Sequence, residues 1–464
     1  MQRPAWVTSM LLEVTACAAS ANDDEPTLVA FDDQNPMPGI VEVDLRASRA
    51  SWELLPGKTA DVWAFRDGSS ELPATIPGPT LDVEVGDEVV VHFRNELPVA
   101  TTIHWHGMRV PNASDGTLAA QVAVEPGGTY EYRFVATDPG LFWYHPHVEG
   151  DVQVERGLYG AVVVRGGVAP DVAADRVLVL DDVKMEASGQ LSDDTVTLDV
   201  MLGRQGNVLL VNGRQRPVLA AAPGSRERWR FVNAANGRYF RLALAGHQLL
   251  VIGHDGGLVV EPYAVTSLLV APGERYDVLV ELEGQPGDRL SLQTLFYDRG
   301  HEIPDPGPID LLDLDLGDRP DASPAPLPQV WGAIDPLPIS EAETRSFVLS
   351  EDENGGAEPR FFINDEAFPE ITVQAVARDA VEIWEVQNDS VMDHPFHLHG
   401  MFFQVLDGDA PAWPLAWKDT VNVPLDATVR FAVRFDADGR WMYHCHILEH
   451  AERGMMGELL VPGP

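Results

Sequence analysis

Short runs in which apolar and polar residues alternate, each cut off by glycine or proline, make up most of this chain. A period of two turns one face of a run into a core and the other to water, which predicts half-buried strands; an apolar repeat of helical period is nearly absent. The runs themselves recur. Gly86–Asn95 (GDEVVVHFRN), Gly224–Asn233 (GSRERWRFVN) and Arg378–Asn388 (RDAVEIWEVQN) each read as a turn, a strand and a closing asparagine. A second strand follows each (TTIHWHG, FRLALAGHQLLVIGHDG, HPFHLHGMFFQVL), and later a third (PGGTYEYRF, PGERYDVLVEL, LDATVRFAVRF). The first and third copies then run into a glycine–aromatic–histidine strand, PGLFWYHPH and GRWMYHCH, where the middle copy has PGDRLSLQT. An all-β chain built from one sandwich unit used three times is the predicted organisation. The expected limits are a signal or tether segment over 1–35, sandwiches over 36–167, 168–316 and 341–464, and a proline-rich linker over 317–340.

Charge narrows the partners. The chain carries 32 basic and 72 acidic residues, a formal net charge of −40, which argues against nucleic acid and anionic membrane surfaces. With 464 residues and 45% hydrophobic content it has the substance for about three packed domains. A monomer is expected. Of the two cysteines, Cys17 and Cys445, neither is expected in a disulfide. Arg3, the mostly apolar Ala5–Ala16 and the small residues after it have the layout of a secretory signal, although Glu13 fits it poorly. Val14-Thr15-Ala16-Cys17 also resembles the lipobox of bacterial lipoproteins. The expectation is an exported protein, periplasmic or cell-surface, whose membrane attachment is a lipid on Cys17. No later apolar run approaches the length of a membrane span.

The chemistry concentrates near the C-terminus, in Trp441–Met456 (WMYHCHILEHAERGMM). A thiolate, imidazoles and a thioether on one short stretch suit a blue-copper site, with Cys445, His450 and Met455 as candidate ligands and one further histidine from elsewhere. In an extended segment His444 and His446 point away from the side that Cys445 faces, so one thiolate can hold one metal while its neighbours hold others. That is wiring for electron transfer between metal centres. The pattern H-x-H occurs four times: His104/His106, His145/His147, His397/His399 and His444/His446. On a strand both rings of a pair reach the same face and can serve different metals of one cluster. Eight imidazoles with few nearby carboxylates favour copper over calcium, magnesium or structural zinc. Two pairs fall in the first copy and two in the third, so the cluster is expected between them, with the middle copy as a spacer. His92, His247 and His254 read as structural, Met456 as core, and Trp441 and Tyr443 as packing residues.

HWHG, WYHPH, HPFHLHG and HCHILEHAERGMM, in this order, resemble the four copper motifs of the multicopper oxidases, and the closest likeness is to bacterial three-domain laccase-like members. The resemblance implies three consecutive cupredoxin-like Greek-key β-sandwich domains and four copper ions. Matched motif to motif, a type 1 copper falls to His394, Cys445, His450 and Met455, and a type 2 copper to His104 and His397. One type 3 copper falls to His106, His145 and His446, the other to His147, His399 and His444. Dioxygen is then the electron acceptor, and a small aromatic reductant or a metal ion the donor. Electrons would enter near His450 and pass through Cys445. Laccase-type oxidation of phenols and aromatic amines is the favoured activity; the rival is a metallo-oxidase for Cu(I) or Fe(II), whose copper-oxidising form usually carries a Met-rich insert that this chain lacks. Some bacterial relatives carry a proton-delivering acid after the type 1 histidine, where this chain has Ala451. Asp115 matches the acid those relatives have near the type 2 copper and is the expected proton relay, although an aspartate before Gly116 is also an ordinary turn residue.

Overall fold

The computed structural model describes residues 28–463, except 56, 194, 301–303, 319–322 and 353–358. The expected signal sequence with Cys17 lies outside the described residues. Among the described residues strands form six sheets in three pairs, so the chain is all-β, with one pair of sheets for each copy of the repeat. The pairings recur with the sequence. Ile40–Leu55 runs parallel to Glu88–Asn95, Ala174–Val183 parallel to Arg226–Asn233, and Glu343–Glu351 parallel to Val381–Asn388. Each second member then pairs antiparallel with Thr129–Val135, Arg275–Glu281 or Thr428–Arg434. Inward-facing side chains fill the space between the sheets, as with Trp105 and Tyr132 in the first pair, Trp229 and Phe231 in the second, and Trp384 and Phe431 in the third.

The recurrent asparagine has a physical reason. Asn95, Asn233 and Asn388 are all buried, and each ties the loop leaving its strand to a neighbouring strand or loop. Nδ2 of Asn95 donates to the carbonyls of Val99 and Val124 while Oδ1 accepts from the Leu97 amide. Asn233 serves Arg238, Val270 and Ala235 in the same way, and Asn388 serves Met392, Val423 and Ser390. No apolar side chain could satisfy these buried groups.

The described segments outside the sandwiches are held against them. The acidic lead-in was expected as a free tether, yet from residue 28 it is pinned to the first sandwich. Thr80 donates its amide to the Val29 carbonyl at 2.6 Å, Phe31 donates to Thr80, and the Phe31 ring packs on the first core. The proline-rich connection has no regular secondary structure over its described residues, but it is packed rather than free. Trp331 is buried against Ile252 and Leu279 of the middle sandwich, and Leu337 and Ile339 lie on Ile383 and Leu406 of the third. A few apolar residues among the prolines are enough to hold it down.

Candidate metal centre

In the second sheet of each outer sandwich, cross-strand pairing brings the histidine motifs together. His104–His106 lies beside Gly140–His145 with His104 opposite His145, and His394–Leu398 lies beside Gly439–Cys445 with His397 opposite His444. The equivalent strands of the middle copy put Leu242 opposite Thr294, so no imidazoles meet there. The two outer copies face each other, and eight rings converge: His106 stacks on His397 with centroids 3.8 Å apart, and His104 lies 4.0 Å from His399.

Among the described residues three all-histidine triplets form in this convergence, each with its donor atoms within 4.8 Å of one another: His104, His106 and His397; His106, His145 and His446; and His147, His399 and His444. Asp115 forms a further one with His104 and His399. The chain orients most of the rings from behind. Nδ1 of His104 donates to the Asp115 carbonyl at 2.8 Å, that of His145 to Pro146 at 2.9 Å, that of His397 to Asp419 at 2.9 Å and that of His444 to Cys445 at 2.8 Å. The opposite nitrogens of His104, His145 and His397, Nδ1 of His106 and both nitrogens of His446 are buried with no hydrogen-bond partner. So many orphaned buried acceptors would be costly in an apoprotein core and are what a cluster of soft-to-borderline cations satisfies. Burial, followed by repulsion among neighbouring rings, holds His145, His444 and His446 below the usual imidazole range, and burial holds His397 below it against the pull of Asp419, so they are neutral, as metal ligation requires.

A separate group, His394, Cys445 and His450, lies on the other face of the same strand. Sγ of Cys445 is 3.5 Å from Nδ1 of His394 and 3.9 Å from Nδ1 of His450. Burial pushes the thiol well above its usual range, so a cation is needed to hold it as thiolate. Met455 is buried in the same cluster as Cys445 and accepts the Cys445 amide on its carbonyl at 3.0 Å, whereas Met456 turns to a separate cluster with Met442 and Ala451. Phe361 stacks on His450 at 3.9 Å. The rear nitrogen of His450, Nε2, donates to the Met201 carbonyl at 3.2 Å, so the short Thr197–Leu202 helix of the middle sandwich covers the ring.

The middle copy is therefore more than a spacer: it supplies no imidazole, yet it caps His450. Asn236 also joins it to both neighbours, donating to the Asp151 carbonyl and to Glu449. Asp115 is buried, with its carboxylate 3.2 Å from Nδ1 of His399 and 3.4 Å from Nδ1 of His104. Burial pushes its carboxyl up, but the two rings outweigh that and hold it well below the usual range. It occupies a turn before Gly116 and faces the cluster at once. The remaining described histidines stand apart: His92 bridges Glu42 and Glu131 at the surface, His247 holds a loop through Ala245 and Glu283, and His254 bonds to Tyr263. His394 needed its motif partner to be assigned; the cover over His450 carries no motif and was missed.

Family models described as multicopper oxidase match residues 52–168, 180–292 and 343–464, and the chain belongs to the multicopper oxidase family. It is an oxidoreductase whose family uses copper, dioxygen and a reducing substrate. The chain is 33% identical to the multicopper oxidase MmcO of Mycobacterium tuberculosis over 424 residues, covering 83% of this chain and 81% of that one. Its structure is similar to a multicopper oxidase from Campylobacter jejuni described as a metallo-oxidase, with a TM-score of 0.83, 29% identity and 94% of each chain covered. It is also similar to a laccase-like enzyme, CueO, from the lignin-degrading bacterium Ochrobactrum sp., with a TM-score of 0.80, 26% identity and coverage of 94% and 100%.

Proposed function

We propose that this chain is a laccase-type enzyme that holds four copper ions. One sits at His394, Cys445, His450 and Met455, one at His104 and His397, and two at His106, His145, His446 and at His147, His399, His444. Copper, when bound, supplies one-electron oxidation of the donor and the four-electron reduction of dioxygen to water. The observation that carries this reading is the tripeptide His444-Cys445-His446: Cys445 belongs to one ligand group and its two neighbours to two others. Burial of all three excludes water from the path between them. Asp115, against His104 and His399, picks up and hands on protons.

The proposed donors are phenols and aromatic amines. A cleft of about 340 Å³ lined by Tyr239, Phe296, Tyr297, Arg299 and Pro306 supports this choice. Arg299 joins the cleft to the cover over His450, because its guanidinium donates to the Leu202 carbonyl and lies over the Tyr239 ring. A second reading, oxidation of Cu(I) or Fe(II), draws on the complete burial of the His450 ring, which leaves a bulky donor no open edge, and on the likeness to the Campylobacter metallo-oxidase. Steady-state turnover of a dimethoxyphenol, Cu(I) and Fe(II) by copper-loaded protein separates them. Phenol turnover at background level beside rapid metal oxidation would refute the laccase reading. Export, with Cys17 as lipid anchor, is part of the proposal and rests on the leader-like residues alone.

A further inference from the structure

One buried cation outside the ligand groups is bonded to all three sandwiches. Arg275 opens the Arg275–Glu281 strand of the middle copy and is 1% exposed. Every N–H of its guanidinium is used. Nη1 donates to Oδ1 of Asp419 at 2.6 Å and to the Gly273 carbonyl at 3.2 Å. Nη2 donates to Oδ2 of Asp419 at 2.5 Å and to the Asp255 carbonyl at 3.1 Å. Nε donates to the Leu141 carbonyl of the first sandwich at 3.2 Å.

Asp419, in the third sandwich, backs two rings of the cluster. Its carbonyl accepts Nδ1 of His397, and its Oδ1 lies 3.4 Å from that same nitrogen and 3.3 Å from Nε2 of His106. These are the rear nitrogens: Nε2 of His397 and Nδ1 of His106 are the ones left without partners. The Thr420 hydroxyl lies nearer still, 3.1 Å from Nδ1 of His397 and 3.2 Å from Nε2 of His106, and donates to Oδ1 of Asp419 at 2.8 Å. The direction in which each ring presents its free nitrogen therefore depends on where the Asp419 carboxylate is held, both directly and through the hydroxyl it orients. A planar fork gripping both carboxylate oxygens fixes position and rotation together, which a lysine, as a point charge, cannot do. The first histidine motif makes room for it. Gly107, the glycine of HWHG, has φ +83°, and a Cβ there would fall 2.1 Å from Nη2 of Arg275 and 2.6 Å from Oδ2 of Asp419.

We propose that Arg275 is a positioning residue of the copper cluster: by clamping Asp419 it aims His397 and His106 at their metals, and so makes the middle sandwich a working part of a site to which it gives no ligand. The inference rests on the assignment of His397 and His106 as copper ligands. Its test uses full-length, copper-loaded R275K and D419N, with the blue absorption of the Cys445 site as the internal measure of intact folding. The readouts are the paramagnetic resonance of the non-blue copper and its rate of release to a chelator. Both variants are expected to keep the blue band and to hold the non-blue copper about 10–100-fold less tightly, as loss of a partner behind a ligand typically does. An R275K protein with wild-type non-blue resonance and wild-type release overturns the proposal. Should R275K not fold, D419N, which keeps the side-chain size, decides by the same criterion. Wild-type protein with a blue band and no non-blue copper would instead overturn the ligand assignment beneath the proposal.

Discussion

Replacing Asn388 by alanine tests the link between the sequence repeat and the metal site. Its Nδ2 donates to the carbonyls of Met392 at 2.8 Å and Val423 at 2.9 Å, and its Oδ1 accepts from Ser390, amide at 3.1 Å and hydroxyl at 2.7 Å. The Ser390 hydroxyl also reaches Met392, so that carbonyl keeps a partner in the variant. The Val423 carbonyl and the Ser390 amide lose the side chain that answered them. Val423 is fully buried and Ser390 only half-buried, so the cost is about 1–3 kcal/mol, that of one buried group left unsatisfied. Ser390 Oγ also lies 2.7 Å from Nε2 of His394, so the loop that Asn388 organises is the rear support of a proposed type 1 ligand. Asn233→Ala is the control, because it removes the equivalent bonds from the middle sandwich, whose loop carries no proposed type 1 ligand. Both variants should unfold at lower urea concentration as apoproteins, but only Asn388→Ala should shift or weaken the blue band after copper loading. Unfolding of both within about 0.5 kcal/mol of wild type, the range of ordinary surface changes, would refute the reasoning, as would an equal disturbance of the blue band in Asn233→Ala.

Cys445→Ser should abolish the blue absorption and the oxidase activity, because a hydroxyl is a poor soft ligand; an intense blue colour in the variant would rule out the type 1 assignment. Asp115→Asn keeps size and an acceptor for His399 but cannot carry a proton, so reoxidation by dioxygen should slow about a hundredfold while anaerobic reduction by a phenol stays normal; unchanged reoxidation in a stopped-flow experiment counts against the relay. Burial pushes the Glu155 carboxyl up to about 8 from an ordinary 4.5, so over that interval the folded state keeps a proton that the unfolded chain releases, and stability falls as pH rises. Glu155→Gln should flatten that fall in urea midpoints measured from pH 5 to 8; an unchanged slope would show that Glu155 does not cause it. Protein made with its native leader should partition into detergent, and Cys17→Ser should release it; a soluble wild-type protein whose N-terminus lies beyond Cys17 would mean an ordinary signal peptide.

The strands and the ligand groups were legible because each leaves a local trace. Alternation marks a half-buried strand, and H-x-H on a strand marks two rings on one face. The groups that hold the rings were not legible. Arg275 and Asp419 are 144 residues apart, and each sits in a stretch, PGERY or WKDT, that reads by itself as the start or end of a strand. A trace does exist, since consecutive charges such as Lys418-Asp419 at the start of an alternating strand imply buried partners, but it names none of them. The helices Gly150–Glu155, Thr197–Leu202 and Leu448–Glu452 were also invisible, because fewer than two turns leave no period to detect. One of these carries the Met201 carbonyl that covers His450. The family resemblance supplied what neither alternation nor pairing could, the assignment of His394 to Cys445.

The two halves of the cluster lie far apart in the chain, and the time axis of synthesis follows from that. His147 and His444, whose Nε2 atoms face each other at 3.3 Å, are separated by 297 residues. At about 5–20 residues per second, roughly 15–60 seconds pass between the appearance of one and of the other. Made, and if exported then delivered, N-terminus first, the chain can fold its first sandwich ahead of the third and present two pairs of imidazoles with no complement, a half-site open to any divalent ion in the order of its intrinsic affinity. Faithful metallation is thus a kinetic problem before it is a structural one: the cell has to keep competing metals from those four rings until the third sandwich closes over them.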